Sequence, residues 1–239
     1  MAQVTYPMCI IFGVLPSFIW LTYYLRKDVH PESNRMILKI FFYGMLIAFP
    51  AILLEMGFSD GLTRFNIPPF LISILGAFIG VALVEEGLKY LIVKEKVLKN
   101  SEFDEPVDTM LYMIIAALGF AALENILIMF SLGPVFLFRD IFVTSSFRFL
   151  GATFLHTLCS ATVGFFLALS FCEVRYREKL LALGLFIAVL LHGLYNFSIM
   201  ELEGKLAFLI PVLILIGLAI FVTFGFRRLK KLKSICKIT

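Results

Sequence analysis

Seven stretches of roughly twenty mostly apolar residues run through this chain, near 5–25, 36–56, 67–93, 109–130, 148–172, 180–200 and 206–226. A helix needs about 20 such residues to cross a hydrocarbon core, so each is long enough to span a membrane. Composition agrees. Soluble domains are about half apolar and about a quarter charged, whereas this chain is 61% hydrophobic and 16% charged, with a mean hydropathy of +0.97. The runs are too long for strands and lack the alternation of a membrane barrel. The expected fold class is therefore all-α, a polytopic membrane helix bundle of about seven transmembrane helices. The first segment has no Lys or Arg before it and no small-residue cleavage site, so it reads as an anchor and not a removable signal.

The connections set an expected orientation. Lys and Arg number three in 26–35, one in 57–66, three in 94–108, one in 131–147, three in 173–179, one in 201–205 and six in 227–239. The positive-inside rule then puts the N-terminus outside and the C-terminus in the cytoplasm. The residues read as one integral membrane domain over 1–239, ending in a basic cytoplasmic tail, 227–239. That tail suits an anionic membrane surface better than nucleic acid. The segment 133–147 is too short and interrupted to span alone, and either lies in the interface or re-enters. The four cysteines lack metal-ligand spacing.

Ionisable groups inside apolar spans are costly and mark function by default. The third span holds Glu85, Glu86 and Lys89, the fourth Glu124 and Asn125, the fifth Arg148 and His156, and the sixth His192 and Asn196. Lys39 and Glu55 lie near the ends of the second span and can snorkel. Residues three and four apart share a helix face. Lys89 can thus neutralise either Glu85 or Glu86, and two adjacent carboxylates in low dielectric do not both ionise easily. Arg148, Ala152 and His156 lie on one stripe, with Ser160 a turn further, and His192 and Asn196 point together. Taken singly, each group has a plainer reading: a Glu-Lys brace between helices, hydrogen-bonded core histidines, a snorkelling Arg148, Asn125 as polar glue. Those readings do not account for three glutamates and two histidines on four consecutive helices, a set able to act on a water molecule.

These residues also resemble a known family. "EEGLK" (Glu85 to Lys89) fits the EExxK motif of the PrsW-type intramembrane proteases, which form a superfamily with CAAX-processing endopeptidases and bacteriocin-immunity-type membrane proteins. The blocks "YYLRKDVHPES", "FDEPVDTMLYMIIAALGFAALENIL", "FRFLGATFLHTLCSATVGFFLA" and "LLHGLYNF" follow in the family's order, over about residues 13–200. The resemblance implies peptide-bond hydrolysis in or beside the membrane, with a single-span protein such as an anti-sigma factor as substrate and the cell membrane as its place. The catalytic set it implies is Glu85, Glu86, His156, His192 and Asn196, supported by Lys89, Glu124 and Arg148. Glu85 would activate water while Glu86 pairs with Lys89, or the reverse; His156 would hold the water; His192 and Asn196 would donate to the oxyanion. Glu124 stands where the wider superfamily has histidine, and its role is open between catalytic and structural.

A metal-free glutamate mechanism is favoured, with no cofactor. Zinc held by His156, His192 and Glu85 is the alternative, although HExxH is absent and the histidines fall on different helices. The competing functions are a proton-coupled transporter or channel and a non-catalytic membrane scaffold. One quantity disagrees: at ~1.5 Å per residue Glu85 lies about 13 Å from Lys94, while Glu124, His156 and His192 lie about 20–25 Å from the corresponding helix ends. Either the third helix runs on beyond Lys94, or its start near Pro68 and Pro69 is tilted.

Overall fold

The computed structural model describes residues 6–28, 30–100, 103–131 and 138–232, and every regular element among them is helical. The helices are α1 (Tyr6–Leu25), α2 (Asn34–Thr63), α3 (Pro69–Leu75), α4 (Val84–Lys96), α5 (Pro106–Ser131), α6 (Phe138–Leu150), α7 (Ala152–Cys172), α8 (Arg177–Glu201) and α9 (Gly204–Leu229). A π-helical stretch, Gly76–Leu83, joins α3 to α4, so that Pro69–Lys96 is one continuous span. Among the described residues, seven helical segments are long and apolar enough to cross a membrane. The chain is a multi-pass membrane protein.

The order of burial is that of a bundle in lipid. α5 is the central post: it is buried from Pro106 through Ala122 without a break and packs against α1, α2 and α7. α7 in turn packs against α8 and α9. The outward faces stay apolar, as at Leu53 and Ile220, since lipid tails are as apolar as a core. Without a hydrophobic force between helices, close backbone approach matters most. A Cβ on Gly119 of α5 would sit 2.0 Å from the Phe41 carbonyl oxygen of α2, and one on Gly44 of α2 would sit 2.1 Å from that of Ala116. Thr109 adds a bond from its hydroxyl to the Gly164 carbonyl of α7, at 2.8 Å.

Several boundaries differ from the sequence expectation, each for a physical reason. α2 opens on Ser33, whose hydroxyl accepts from the Met36 amide, and then runs to Thr63. The polar residues after Gly57 do not end it, because no proline intervenes before Pro68. Glu55 is therefore well inside α2 and not near its end. The expected fifth span, 148–172, is two helices: the backbone breaks at Gly151 (φ −104°, ψ −98°) and Arg148 belongs to α6. Residues 133–137 of the segment read as interfacial or re-entrant lie outside the described residues. Its remainder is the start of α6, which packs on α1 and leads into α7. Trp20 pins the break, donating its indole N–H to the Phe149 carbonyl at 2.9 Å and stacking on Phe154 at 4.2 Å.

The third span does run on beyond Lys94, by two residues. α4 stops at Lys96; beyond it Val97 and Phe103 are buried while Lys99 is exposed. Asn100 bonds to Met36 at the start of α2, and Phe103 packs on Phe171 at the end of α7.

Candidate active site

The first turn of α4 carries two carboxylates and an ammonium at i, i+1 and i+4, so all three project from one side. The π-helical turns before it are of the kind found at functional sites, where the wider winding re-aims side chains. α7 lies opposite with His156 and Ser160, α8 with His192 and Asn196, and α5 with Glu124 and Asn125.

Lys89 is the hub. Its Nζ lies 2.9 Å from Glu85 Oε2, 2.9 Å from Glu86 Oε1 and 2.9 Å from His156 Nδ1. The Phe120 ring covers it at 4.4 Å. An ammonium has three N–H groups and no acceptor, so all three are used, and His156 Nδ1 must be the acceptor. His156 then carries its proton on Nε2 and donates to Glu124 Oε2 at 2.8 Å. Glu86 is satisfied on both oxygens: Oε1 also accepts from His192 Nδ1 at 3.1 Å, and Oε2 from Ser160 Oγ at 2.8 Å. Because ionised Glu86 only accepts, the hydrogen-bond network assigns the His192 proton to Nδ1 and leaves Nε2 with its lone pair, 3.9 Å from Glu85 Oε2. A neutral His192 is therefore an acceptor on its free side; it can donate to an oxyanion only as the imidazolium.

Glu85 differs from Glu86 in access. A cavity of about 550 Å³ is walled by Glu85, Glu124, Arg148, His156, His192 and Asn196, among others, while Glu86 and Lys89 are fully buried behind it. Glu85 Oε1 makes no hydrogen bond among the described residues and is the one carboxylate oxygen of the pair left for a small molecule in that cavity. Arg148 Nη2 lies 3.0 Å from Glu124 Oε2 but is not aligned to donate to it, and its Nε donates to Asn125 Oδ1. Asn125 also donates to Thr153 Oγ1 at 3.0 Å, which makes it the polar brace between α5 and α7. Asn196 makes no hydrogen bond among the described residues, so its amide is free to serve the cavity.

All eight residues singled out from the sequence converge here. Arg148 is ion-paired and not snorkelling, and Glu124 joins it to His156. Sequence reasoning had Ser160 only as a further residue on the stripe, although a hydroxyl one turn beyond a buried His was a usable signal. It misjudged Glu55, which reaches this same cavity wall.

A metal would find suitable donors. One ligand atom from each of Glu85, Glu86, His156 and His192 can be chosen so that all lie within 4.8 Å of one another, and two histidines with a carboxylate are a catalytic zinc set. The donors fit zinc in kind. The competing cation is already present, because Lys89 sits within hydrogen-bond distance of three of the four groups.

Fold and site together define a polytopic membrane protein with a cluster of buried ionisable residues around an interior cavity. Comparison with known proteins narrows that class. The family described as PrsW family intramembrane metalloprotease matches residues 32–224. Among curated proteins, the Bacillus subtilis protein named Protease PrsW is 30% identical over 225 residues, covering 93% of this chain and 94% of that one. The Oceanobacillus iheyensis protein of the same name is 29% identical over 205 residues, covering 85% and 88%. The one from Geobacillus kaustophilus is 30% identical over 194 residues, covering 80% and 79%. No solved structure matches significantly. The chain belongs to the PrsW family of intramembrane proteases.

Proposed function

We propose that this protein is an endopeptidase that cuts a membrane-anchored protein with water activated by Glu85. The observation that carries this is the difference between the paired carboxylates: Glu86 is saturated by Lys89, His192 and Ser160, while Glu85 keeps one oxygen facing the cavity. A water between Glu85 and the bare Nε2 of His192 gives up a proton to Glu85 as its oxygen attacks the scissile carbonyl carbon. Glu85 returns that proton to the leaving amine as the C–N bond breaks. Glu86 and Lys89 hold the base in place, and His156, tied to Lys89 and Glu124, fixes the wall beside it.

The oxyanion needs donors, worth on the order of 3 kcal/mol each in other enzymes. The Asn196 amide and the Tyr195 hydroxyl belong to residues that line the cavity, with the Arg148 guanidinium beside them. His192 joins them once it is charged. Zinc, where bound by His156, His192 and Glu85, would supply Lewis-acid activation of the water, and Lys89 would have to withdraw from its three partners.

The substrate class follows the family resemblance: a single-span membrane protein such as an anti-sigma factor, cut at the first site. His192 is about 13 Å from the Glu201 end of α8 and about 22 Å from its Arg177 end, at ~1.5 Å per residue. Given the expected outside N-terminus, a cavity at that height would lie in the outer half, which supports an extracytoplasmic cut. Co-expression with a tagged single-span anti-sigma factor tests the reading. A cut product is expected with the wild type and not with Glu85→Gln at equal expression. No product from the wild type would favour a transporter or a scaffold. Zinc content of the purified protein, with and without chelator, separates the glutamate from the metal mechanism.

A further inference from the structure

Glu55 is the carboxylate on the cavity wall that the mechanism leaves unused. Eight further residues of α2 follow it, about 12 Å of helix at ~1.5 Å per residue, so it stands two turns before the end of the helix. Glu85, Glu86 and Glu124 are each held by a cation. Glu55 makes no hydrogen bond or ion pair among the described residues, and its Oε1 is buried without a partner. A carboxylate oxygen buried without a partner is costly, and such a cost is retained where a ligand repays it.

Its position indicates which ligand. Glu55 stands between the catalytic cavity and a second cavity of about 410 Å³, and lines both together with Val81, Asn196 and Met200. The second cavity lies between α2, the π-helical stretch and the end of α8, with mostly apolar walls. Its charged lining residues are Glu55 and Glu201, with no Lys or Arg among the described residues that line it. In the first cavity the one cation on the wall, Arg148, is engaged by Glu124 and Asn125. The junction is thus apolar and acidic without a counter-charge, which suits an apolar segment bearing a basic side chain.

We propose that Glu55 is a specificity-determining residue that receives a lysine or arginine side chain of the substrate, a few residues from the bond presented to Glu85, while the flanking apolar segment fills the second cavity. This rests on the protease reading. An ion pair formed in a wall screened from water discriminates strongly against substrates that leave the wall group unpaired.

The test uses the full-length protein in lipid nanodiscs and a panel of tagged single-span peptides. They are identical except that each residue flanking the outer end of the apolar span is in turn Lys, Gln or Glu. The wild type is expected to cleave the Lys peptide at one register with kcat/KM about tenfold or more above its Gln and Glu counterparts. Glu55→Asp should keep that preference, Glu55→Gln should abolish it, and Glu55→Lys should turn it toward Glu. As a readout independent of turnover, the preferred Lys peptide should bind Glu85→Gln protein about tenfold more tightly than it binds the Glu55→Gln/Glu85→Gln double variant. Equal binding, or cleavage dependent on Glu85 but indifferent to the flanking charge, overturns the role of Glu55 and leaves the protease reading standing. Failure to cleave any peptide of the panel, with or without Glu55, overturns both.

Discussion

Replacing Lys89 with Met removes the charge from the hub while keeping an unbranched chain of similar length. The ammonium is fully buried, as is Glu86, and the Glu85 side chain is only 6% exposed, so Glu86 cannot turn to water and Glu85 meets only what enters the cavity. Removing one partner of a buried ion pair costs about 3–5 kcal/mol, because the other charge is left uncompensated. Here one substitution strands two carboxylates and also takes the hydrogen bond from His156 Nδ1. The expected destabilisation is at the upper end, about 5 kcal/mol, a large part of the roughly 5–15 kcal/mol that a folded protein has. Adding Glu86→Gln removes the more deeply buried stranded charge, so the double variant should recover about 1–3 kcal/mol relative to Lys89→Met alone. Unfolding by denaturing detergent in mixed micelles, read by intrinsic fluorescence, gives both numbers, with zinc content measured on the same samples. A Lys89→Met protein as stable as the wild type, or a double variant less stable than the single, would refute the hub. If Lys89→Met instead gains zinc and keeps its stability, the ammonium and the metal compete for one site and the metal mechanism gains ground.

The cavity side of His192 separates a water-holding role from a packed core histidine: a stable His192→Gln should lose about 10²–10³ in turnover, and combined with Asn196→Ala it should lose less than the product of the single effects. Near-normal cleavage by that stable variant would remove His192 from the active site. Between α1 and α2, burial holds the Glu32 carboxyl above its usual range even though Tyr112 donates to it at 2.5 Å. A raised folded-state pKa contributes stability that is full below the unfolded value, about 4.3, and is lost as pH rises through the folded one. Glu32→Gln should therefore flatten the fall in melting temperature above the ordinary carboxylate range, and an unchanged slope would count against it. Gly119→Ala drives a Cβ to 2.0 Å from a backbone oxygen of α2 that cannot yield locally. It should cost at least about 1–3 kcal/mol, whereas Gly57→Ala, with nothing within 4 Å, should be tolerated. A topology reporter after Thr239 should read cytoplasmic and one near Asp60 external; an external C-terminus would overturn the orientation.

Hydropathy and charge spacing alone determined the seven spans and the set of ionisable residues that belong together, because both are local properties. Twenty apolar residues span a membrane whatever they touch, and a charge inside such a run is conspicuous without knowledge of its neighbours. The i, i+3 and i, i+4 spacings likewise fixed that Lys89 could reach Glu85 and Glu86, since one helix holds all three. What sequence could not supply were relations between helices. Lys89 bonds both carboxylates at once because His156, brought from α7, takes its third proton. Glu85 rather than Glu86 meets the cavity because Ser160 and His192 close over Glu86. Arg148 turns onto Glu124 because the chain breaks at Gly151, where Trp20 of α1 ties the backbone. Glu55 looked peripheral because local hydropathy falls after it, yet α2 carries on for two more turns and sets it between two cavities. The number of spans and most of the polar set were written in the chain; where α2 ends, and the hydrogen-bond partner of each polar atom, were decided only when the spans closed around the same cavity.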